Sequence, residues 1–171
     1  MITIRPEKAE DFQNIADINR IAFGRDIESG IVEKIRHSEN FIPELSLVAI
    51  KDGLPVGHAI FSRIRIKKED GEAEALTLGP IAVLPEFQRQ GIGSLLVSEG
   101  MEKARSLGFG AIVLVGHPDY YPRFGFVQAR GRGLEIFLKV KVPDEAFMVY
   151  EIEKGFLGVT GVVEFPDYFN E

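Results

Sequence analysis

The sequence predicts a mixed α/β fold, a central mixed sheet of about seven strands with helices on both faces, and three observations lead there. The stretch Leu78–Leu84 is apolar except for Gly79 and Pro80. Runs of that length rich in Ile and Val form buried strands. It is followed by a Gly-containing loop and then by an apolar-periodic helix that opens at Gly93 and closes at Gly108. Beyond that helix, Ala111–Val115 reads AIVLV, a second fully apolar run of strand length. Two apolar strands around one helix make a parallel βαβ unit, with both strands near the middle of the sheet.

The remaining elements follow in chain order. Ile2–Arg5 alternates and ends at Pro6, a first short strand. Phe12, Ile15, Ala16, Ala22 and Phe23 recur at helical spacing before Gly24. Ile31, Val32 and Ile35 mark a second helix over Ile27–Ile35, which Phe41-Ile42-Pro43 separates from the strand Ser46–Ile50. Asp52-Gly53 is a hairpin signal. The return strand runs from about Val56 to Ile66, and the next from Ala73 to Val83. The helix after the loop turns Ile92, Leu95, Leu96, Ala104 and Leu107 inward, with Lys103 and Arg105 in its last turn, where the helix dipole favours cations. Leu134–Val142 and Ala146–Ile152 read as two final strands.

Composition narrows the function. A chain of 171 residues, 45% hydrophobic and 27% charged, has globular values and room for one sizeable core. One domain is expected, its body over residues 1–152. The tail over residues 153–171 should pack on it through Phe165, Tyr168 and Phe169. A net charge of −6 argues against nucleic acid as a partner and suits a cationic amine. The absence of Cys excludes disulfides, thiolate nucleophiles and Cys-zinc sites, and no metal is expected. Neither an apolar signal core nor a run of membrane-spanning length is present, so no membrane partner and a cytoplasmic protein are expected.

The chemistry sits in the loop between the apolar strand and its helix. A helix that starts just past a strand end aims its first backbone N–H groups at one spot, and its dipole adds positive potential there. The natural guest is an anion, most often a phosphate. Gly91 and Gly93 lack a Cβ, so a ligand can approach the backbone. Neither GxGxxG nor the Walker Gly-Lys-Ser/Thr pattern is present. What stands there is Gln88-x-x-Gly91-x-Gly93 after Val83-Leu84-Pro85. In that setting it resembles the acetyl-CoA diphosphate loop of the GNAT superfamily of N-acyltransferases.

A second stretch adds to the resemblance. Tyr121-Pro122-Arg123-Phe124-Gly125-Phe126 has the family's Tyr-x-x-x-Gly-Phe spacing. With Tyr120 before it, it looks like a branch of small bacterial-type N-acetyltransferases, as does Ala22–Arg25 followed by Glu28. The resemblance covers roughly Ile2 to Ile152. It implies a GNAT fold and acetyl-CoA as cosubstrate. It implies that Gln88, Arg89, Gln90, Gly91, Ile92, Gly93 and Ser94 hold the diphosphate. It also implies that the pantetheine pairs with backbone of the splayed strands Ile81–Val83 and Val113–His117. An N–H near Ala82 or Val83 then faces the thioester carbonyl. Tyr120, Arg123 and Phe124 fall on the cofactor side, with Arg89 and Arg123 as candidates for its phosphates. Tyr121 is implied as the acid that protonates the departing thiolate, on the argument that phenol and thiol pKa values lie close together.

The base for the amine is less well marked. Some family members carry a Glu on the strand before the loop, and its counterpart here is at or near Thr77, which cannot serve. Glu74 is expected to point to solvent. His117, at the end of the neighbouring strand, is the best-placed histidine, with a local hydrogen bond as its alternative. Glu28 can line the acceptor site or simply begin a helix, and water can serve as base. His37 and His58 read as structural or solvated. The function implied is N-acetylation of a primary amine, on a small molecule, peptide or protein, by direct attack in a ternary complex. A non-catalytic acyl-CoA-binding module and a longer acyl group are the alternatives, and a monomer or homodimer is expected.

Overall fold

The structure is a computed structural model that describes residues 1–170; Glu171, the last residue of the expected tail, lies outside them. The chain forms two compact units, one of Met1–Ser62 with Leu78–Ser106, the other of Arg63–Thr77 with residues 107–170. Two long strands, β3 (Leu54–Lys68) and β4 (Gly71–Val83), each contribute a stretch to both.

The first unit holds β1 (Ile2–Pro6), helices α1 (Phe12–Phe23) and α2 (Ile27–Arg36), β2 (Ser46–Lys51), the parts of β3 and β4 just named, and α3 (Ile92–Ser106). Its strands lie in the order β1-β2-β3-β4. β1 runs antiparallel to β2, from Ile2 opposite Lys51 to Pro6 opposite Leu47. β2 runs antiparallel to β3, with a register shift between Ala49 and Ile50. The Asp-Gly signal is met by a tight turn in which Asp52 and Gly53 have φ of 50° and 80°, the left-handed pair a type I′ hairpin needs. Ile15, Ile18, Val32 and Ile35 from the first two helices are buried, as are Leu47, Ala49, Val56 and Phe61 from the strands.

α3 differs from expectation in which side chains it buries. Ile92, Leu96, Val97, Met101 and Ala104 are buried, Leu95 is half-buried, and Leu107 is exposed. The helix ends at Ser106, so Leu107 lies beyond it. The 3.6-residue period groups positions 92, 96, 97, 100, 101 and 104 on one face instead.

The second unit holds the remaining parts of β3 and β4, then β5 (Ala111–Val115), β6 (Val127–Gln128), β7 (Leu134–Ile136), β8 (Phe147–Glu151) and β9 (Gly161–Glu164). Its strands lie in the order β3-β4-β5-β8-β6, with β9 on β3 and β7 on β9. β4 and β5 are parallel, Leu76 opposite Ile112 and Thr77 opposite Val113, as the βαβ reading requires. β5 is paired along its whole length with antiparallel β8. Ile64, Ile66, Ala111, Val113, Phe147 and Val149 belong to one apolar cluster, which the tail joins through Leu157 and Val163.

Among the described residues nine strands are present where about seven are expected, because β6 and β9, of two and four residues, are too short for periodicity to register. The strand read over Leu134–Val142 ends at Ile136. Its partner is four-residue β9, and pairing stops at Ile136 opposite Val163. Past that point Phe137 and Val140 are 77% and 76% exposed, so the apolar letters that suggested a longer strand are not buried.

Candidate functional site

In the first unit the last residues of β4 lead into the loop. The Leu84 N–H donates to the Val56 carbonyl of β3 at 2.9 Å. The Ala82 carbonyl also faces β3, 3.3 Å from where a Cβ on Gly57 would stand. Successive residues of a strand turn their backbone groups to opposite sides. Ala82 and Leu84 therefore address β3, and the N–H groups of Ile81 and Val83 point the other way. This narrows the expected carbonyl donor from Ala82 or Val83 to Val83.

A short 3₁₀ helix over Pro85–Phe87 begins the loop, and side-chain amides fold back to hold it. Gln88 Nε2 donates to the Val83 carbonyl at 2.9 Å, and Gln90 Nε2 reaches the Glu86 carbonyl at 3.4 Å. Arg89 and Gly91 are both left-handed, φ 63° and 83°, so the chain reverses sharply on either side of Gln90. The Gly91 carbonyl accepts the Leu95 N–H at 3.0 Å, which opens α3. The N–H groups of Ile92 and Gly93 precede that first bond and project from the helix start, with Ser94 completing the turn. The Cβ side of Gly91 is open, with no atom within 4 Å. Beneath the helix start, the Cβ position of Gly57 is 3.3 Å from both Ile92 and Leu96. Gly57 is thus the seat that lets α3 begin so close to the sheet. It was missed as a site residue, although a lone Gly inside a strand run signals close approach.

In the second unit, β5 leads into the tyrosine pair. The Gly116 N–H donates to the Ala146 carbonyl at 2.9 Å, and the Tyr120 N–H to the His117 carbonyl at 3.3 Å. Residues Tyr121–Phe124 form a 3₁₀ helix. Tyr121 is buried, its ring edge-on to Tyr120 at 5.1 Å and to Phe126 at 5.8 Å. A Cβ on Gly116 would lie 2.8 Å from the Tyr121 ring, so the ring occupies space that only glycine leaves. Arg123 donates from Nε to the Tyr120 carbonyl at 2.9 Å and stacks its guanidinium 4.5 Å over the Tyr120 ring. Phe124 packs edge-on to Tyr120 at 5.4 Å. Tyr120, Tyr121, Arg123 and Phe124 therefore form one cluster, and His117 lies exposed one turn earlier.

Burial, with a smaller effect from Tyr120, pushes the Tyr121 phenol up to about 12. The expected match with a thiol, near 8.5 for a free one, does not hold. The group keeps its proton throughout the physiological range.

The other candidates are placed clearly. Thr77 is buried opposite Val113. Glu74 is bound to Arg63 at 3.2 Å on the surface. Glu28 is largely buried and held by Arg25 at 2.5 Å, which keeps its pKa low and commits it to that pair. His37 caps α2. His58 is fully buried beside Ser46 at 2.8 Å. Among the described residues no three His, Cys, Asp or Glu side chains form a metal-binding group, and no helix is long and apolar enough to cross a membrane.

A strand end, a left-handed glycine and an open helix start make a site for an anion, and the sequence profile of the Acetyltransferase (GNAT) family matches residues 12–131. The chain belongs to that family and is an acetyltransferase of its class. Among its relatives is the uncharacterized N-acetyltransferase YhbS of Escherichia coli, 33% identical over 169 residues and covering 98% of both chains. The uncharacterized N-acetyltransferase YjhQ of Escherichia coli is 36% identical over 121 residues, 71% of this chain and 67% of that one. The crystal structure of YhbS in complex with CoA superposes with a TM-score of 0.88 at 31% identity, over 99% of this chain and 92% of the other. A GNAT family acetyltransferase from Brucella melitensis in complex with acetyl-CoA gives 0.80 at 30% identity, over 99% and 98%.

Proposed function

We propose that this protein transfers an acetyl group from acetyl-CoA to a primary amine by direct attack in a ternary complex. The observation that carries the reading is the start of α3. Two N–H groups, of Ile92 and Gly93, project beside a left-handed Gly91 whose Cβ side is open. Such a surface suits an anion such as a diphosphate. Support comes from two solved relatives of at least 30% identity, whose crystals contain CoA or acetyl-CoA.

Each step then has a residue on this chain. The loop over Gln88–Ser94 holds the diphosphate, and Arg89 adds positive charge. The Val83 N–H donates to the thioester oxygen as negative charge develops there. The amine nitrogen bonds to the carbonyl carbon, and the carbon–sulfur bond breaks. Tyr121 gives its proton to the sulfur. The amine's extra proton leaves to water or to His117, whose exposure suits a relay to solvent. With no cysteine in the chain, a thioester on the enzyme is ruled out.

Gly91→Val tests the assignment, because it fills the open side of the loop and disfavours the left-handed backbone. The variant should stay folded and lose acetyl-CoA binding in calorimetry. Wild-type affinity in a folded Gly91→Val protein would refute the phosphate-loop reading. Release of free thiol from acetyl-CoA with a panel of amines tests transfer itself, and a protein that binds CoA but releases none would be a binding module.

A further inference from the structure

The loop between β4 and α3 is exposed along Gln88, Arg89, Gln90 and Gly91, and its reversal is built from two left-handed residues. Its own amides hold its entry. Its far side, around Gln90, is held from elsewhere. Lys51, the last residue of β2, extends its Nζ to Gln90 Oε1 at 2.7 Å and lies 5.4 Å over the Phe87 ring. The position of Lys51 is fixed at both ends. Its backbone is paired with Ile2 on one side and Leu54 on the other, and the tight Asp52-Gly53 turn follows at once. One half-buried lysine therefore joins the β2–β3 hairpin to both ends of the loop, Phe87 on the entry side and Gln90 at the apex.

We infer that Lys51 is a positioning residue for the cosubstrate's diphosphate. It acts through Gln90, whose carbonyl oxygen it engages and whose amide is thereby turned back onto the Glu86 carbonyl. With both halves of that amide satisfied, the peptide groups from Arg89 to Ile92 are held in the arrangement that presents N–H groups to an anion. A loop held in its bound form does not spend binding energy on ordering itself. The inference rests on the diphosphate-loop reading above. Nothing in the local sequence signals it, because Lys51 and Gln90 are 39 residues apart.

The test is a double-mutant cycle read by calorimetry with CoA as the probe. Lys51→Met and Gln90→Leu should each raise the Kd by about five- to tenfold. The double variant should be no more than about twofold worse than the weaker-binding single variant, since both changes break one contact. Lys51→Arg should restore affinity to within about twofold. The thermal midpoint without ligand should stay unchanged in all of them, because the contact is at the surface. Dephospho-CoA keeps the diphosphate and lacks the ribose phosphate, so Lys51→Met should weaken it by the same factor.

Multiplying losses in the double variant would overturn the coupling, as would wild-type affinity in Lys51→Met. A loss that disappears with dephospho-CoA would also overturn it, by assigning Lys51 to the ribose phosphate directly. Gly91→Val separates the two levels of failure. If it abolishes CoA binding and Lys51→Met does not weaken it, the loop reading stands and the positioning role falls. If Gly91→Val binds normally, the loop reading itself has failed.

Discussion

Tyr121 and Gly116 form a unit at the scale of single residues. The tyrosine ring stands where a side chain on Gly116 would be, 2.8 Å from the missing Cβ. Tyr121→Phe removes one proton donor and leaves the ring, so turnover should fall by about 10²-fold while acetyl-CoA affinity changes by less than about threefold. Tyr120→Phe is the control, and an equal loss in both would place the acid elsewhere. Gly116→Ala forces the Tyr121 ring aside with the hydroxyl still present. If Tyr121 is the proton donor, turnover should drop by at least about tenfold, and adding Tyr121→Phe to it should cost little more, because the donor is already misplaced. Independent losses in that pair would show that Gly116 does not act through the ring. The pH profile gives a separate check. An acid works only while protonated, and burial raises this phenol to about 12. No fall in turnover that depends on Tyr121 should therefore appear below about pH 11. A descending limb near pH 10 that disappears in Tyr121→Phe would mean that the hydroxyl is better solvated than its burial indicates.

At the scale of elements, α3 reaches the sheet over Gly57, and that contact can be tested without touching the loop. An added Cβ meets Ala82 O, Ile92 and Leu96, all at 3.3 Å, so each must give by a few tenths of an ångström. Gly57→Ala should be tolerated at a cost of about 1 kcal/mol, the low end for overpacking. Gly57→Val adds two methyl groups to the same space and should lift the start of α3. Acetyl-CoA affinity should then fall by about tenfold or more, beyond any loss in stability, because the N–H groups of Ile92 and Gly93 move with the helix. Unchanged affinity in Gly57→Val would show that the helix start is not set by this seat. The contrast between loop and seat also marks what the sequence makes legible. Strand, loop and helix from Leu78 to Leu96 are contiguous, so apolar runs and two glycines were enough to read them. The same holds for the parallel β4–β5 pair and the Tyr121–Phe126 motif. Gly57 under Leu96, Lys51 on Gln90 and Gly116 against the Tyr121 ring depend on which segments the fold brings together. Local periodicity carries no record of that. The strand read past Ile136 failed for the same reason, since its length was set by β9, which has only four residues.

For the molecule as a whole, stability in acid should follow a polar cluster that joins distant parts of the first unit. Glu7, just past β1, accepts Arg36 Nε at 2.7 Å and Nη2 at 3.1 Å from α2, and also accepts the Ser46 hydroxyl from β2. Because that hydroxyl gives its hydrogen to Glu7, His58 of β3 must donate from Nε2 to the Ser46 oxygen, 2.8 Å away. Burial disfavours the charged ring, and its buried Nδ1 has no hydrogen-bond partner that could accept from a second proton there. Burial of Glu7 opposes its ionisation, yet the nearby His58 N–H, 3.7 Å away, and hydrogen bonds from Arg36 and Ser46 hold its pKa down at about 2. The unfolded value is 4.5, so the folded state favours the ionised carboxylate by about 3 kcal/mol. A depressed carboxylate contributes this stability above the unfolded pKa and loses it as pH falls from about 4.5 toward 2. His58, lowered from 6.5 chiefly by burial, acts in the same direction. The unfolded chain takes up its proton as pH falls through 6.5 and the folded chain resists, so stability declines there first. Glu7→Gln should lower the thermal midpoint by about 6–12 °C at pH 7, from about 3 kcal/mol in a chain of this size. The gap to the wild type should narrow below about pH 4.5 and nearly close by pH 2, where the native glutamate is itself becoming protonated. A gap of constant size from pH 7 to 2.5 would show that shape, and not charge, is what Glu7 contributes.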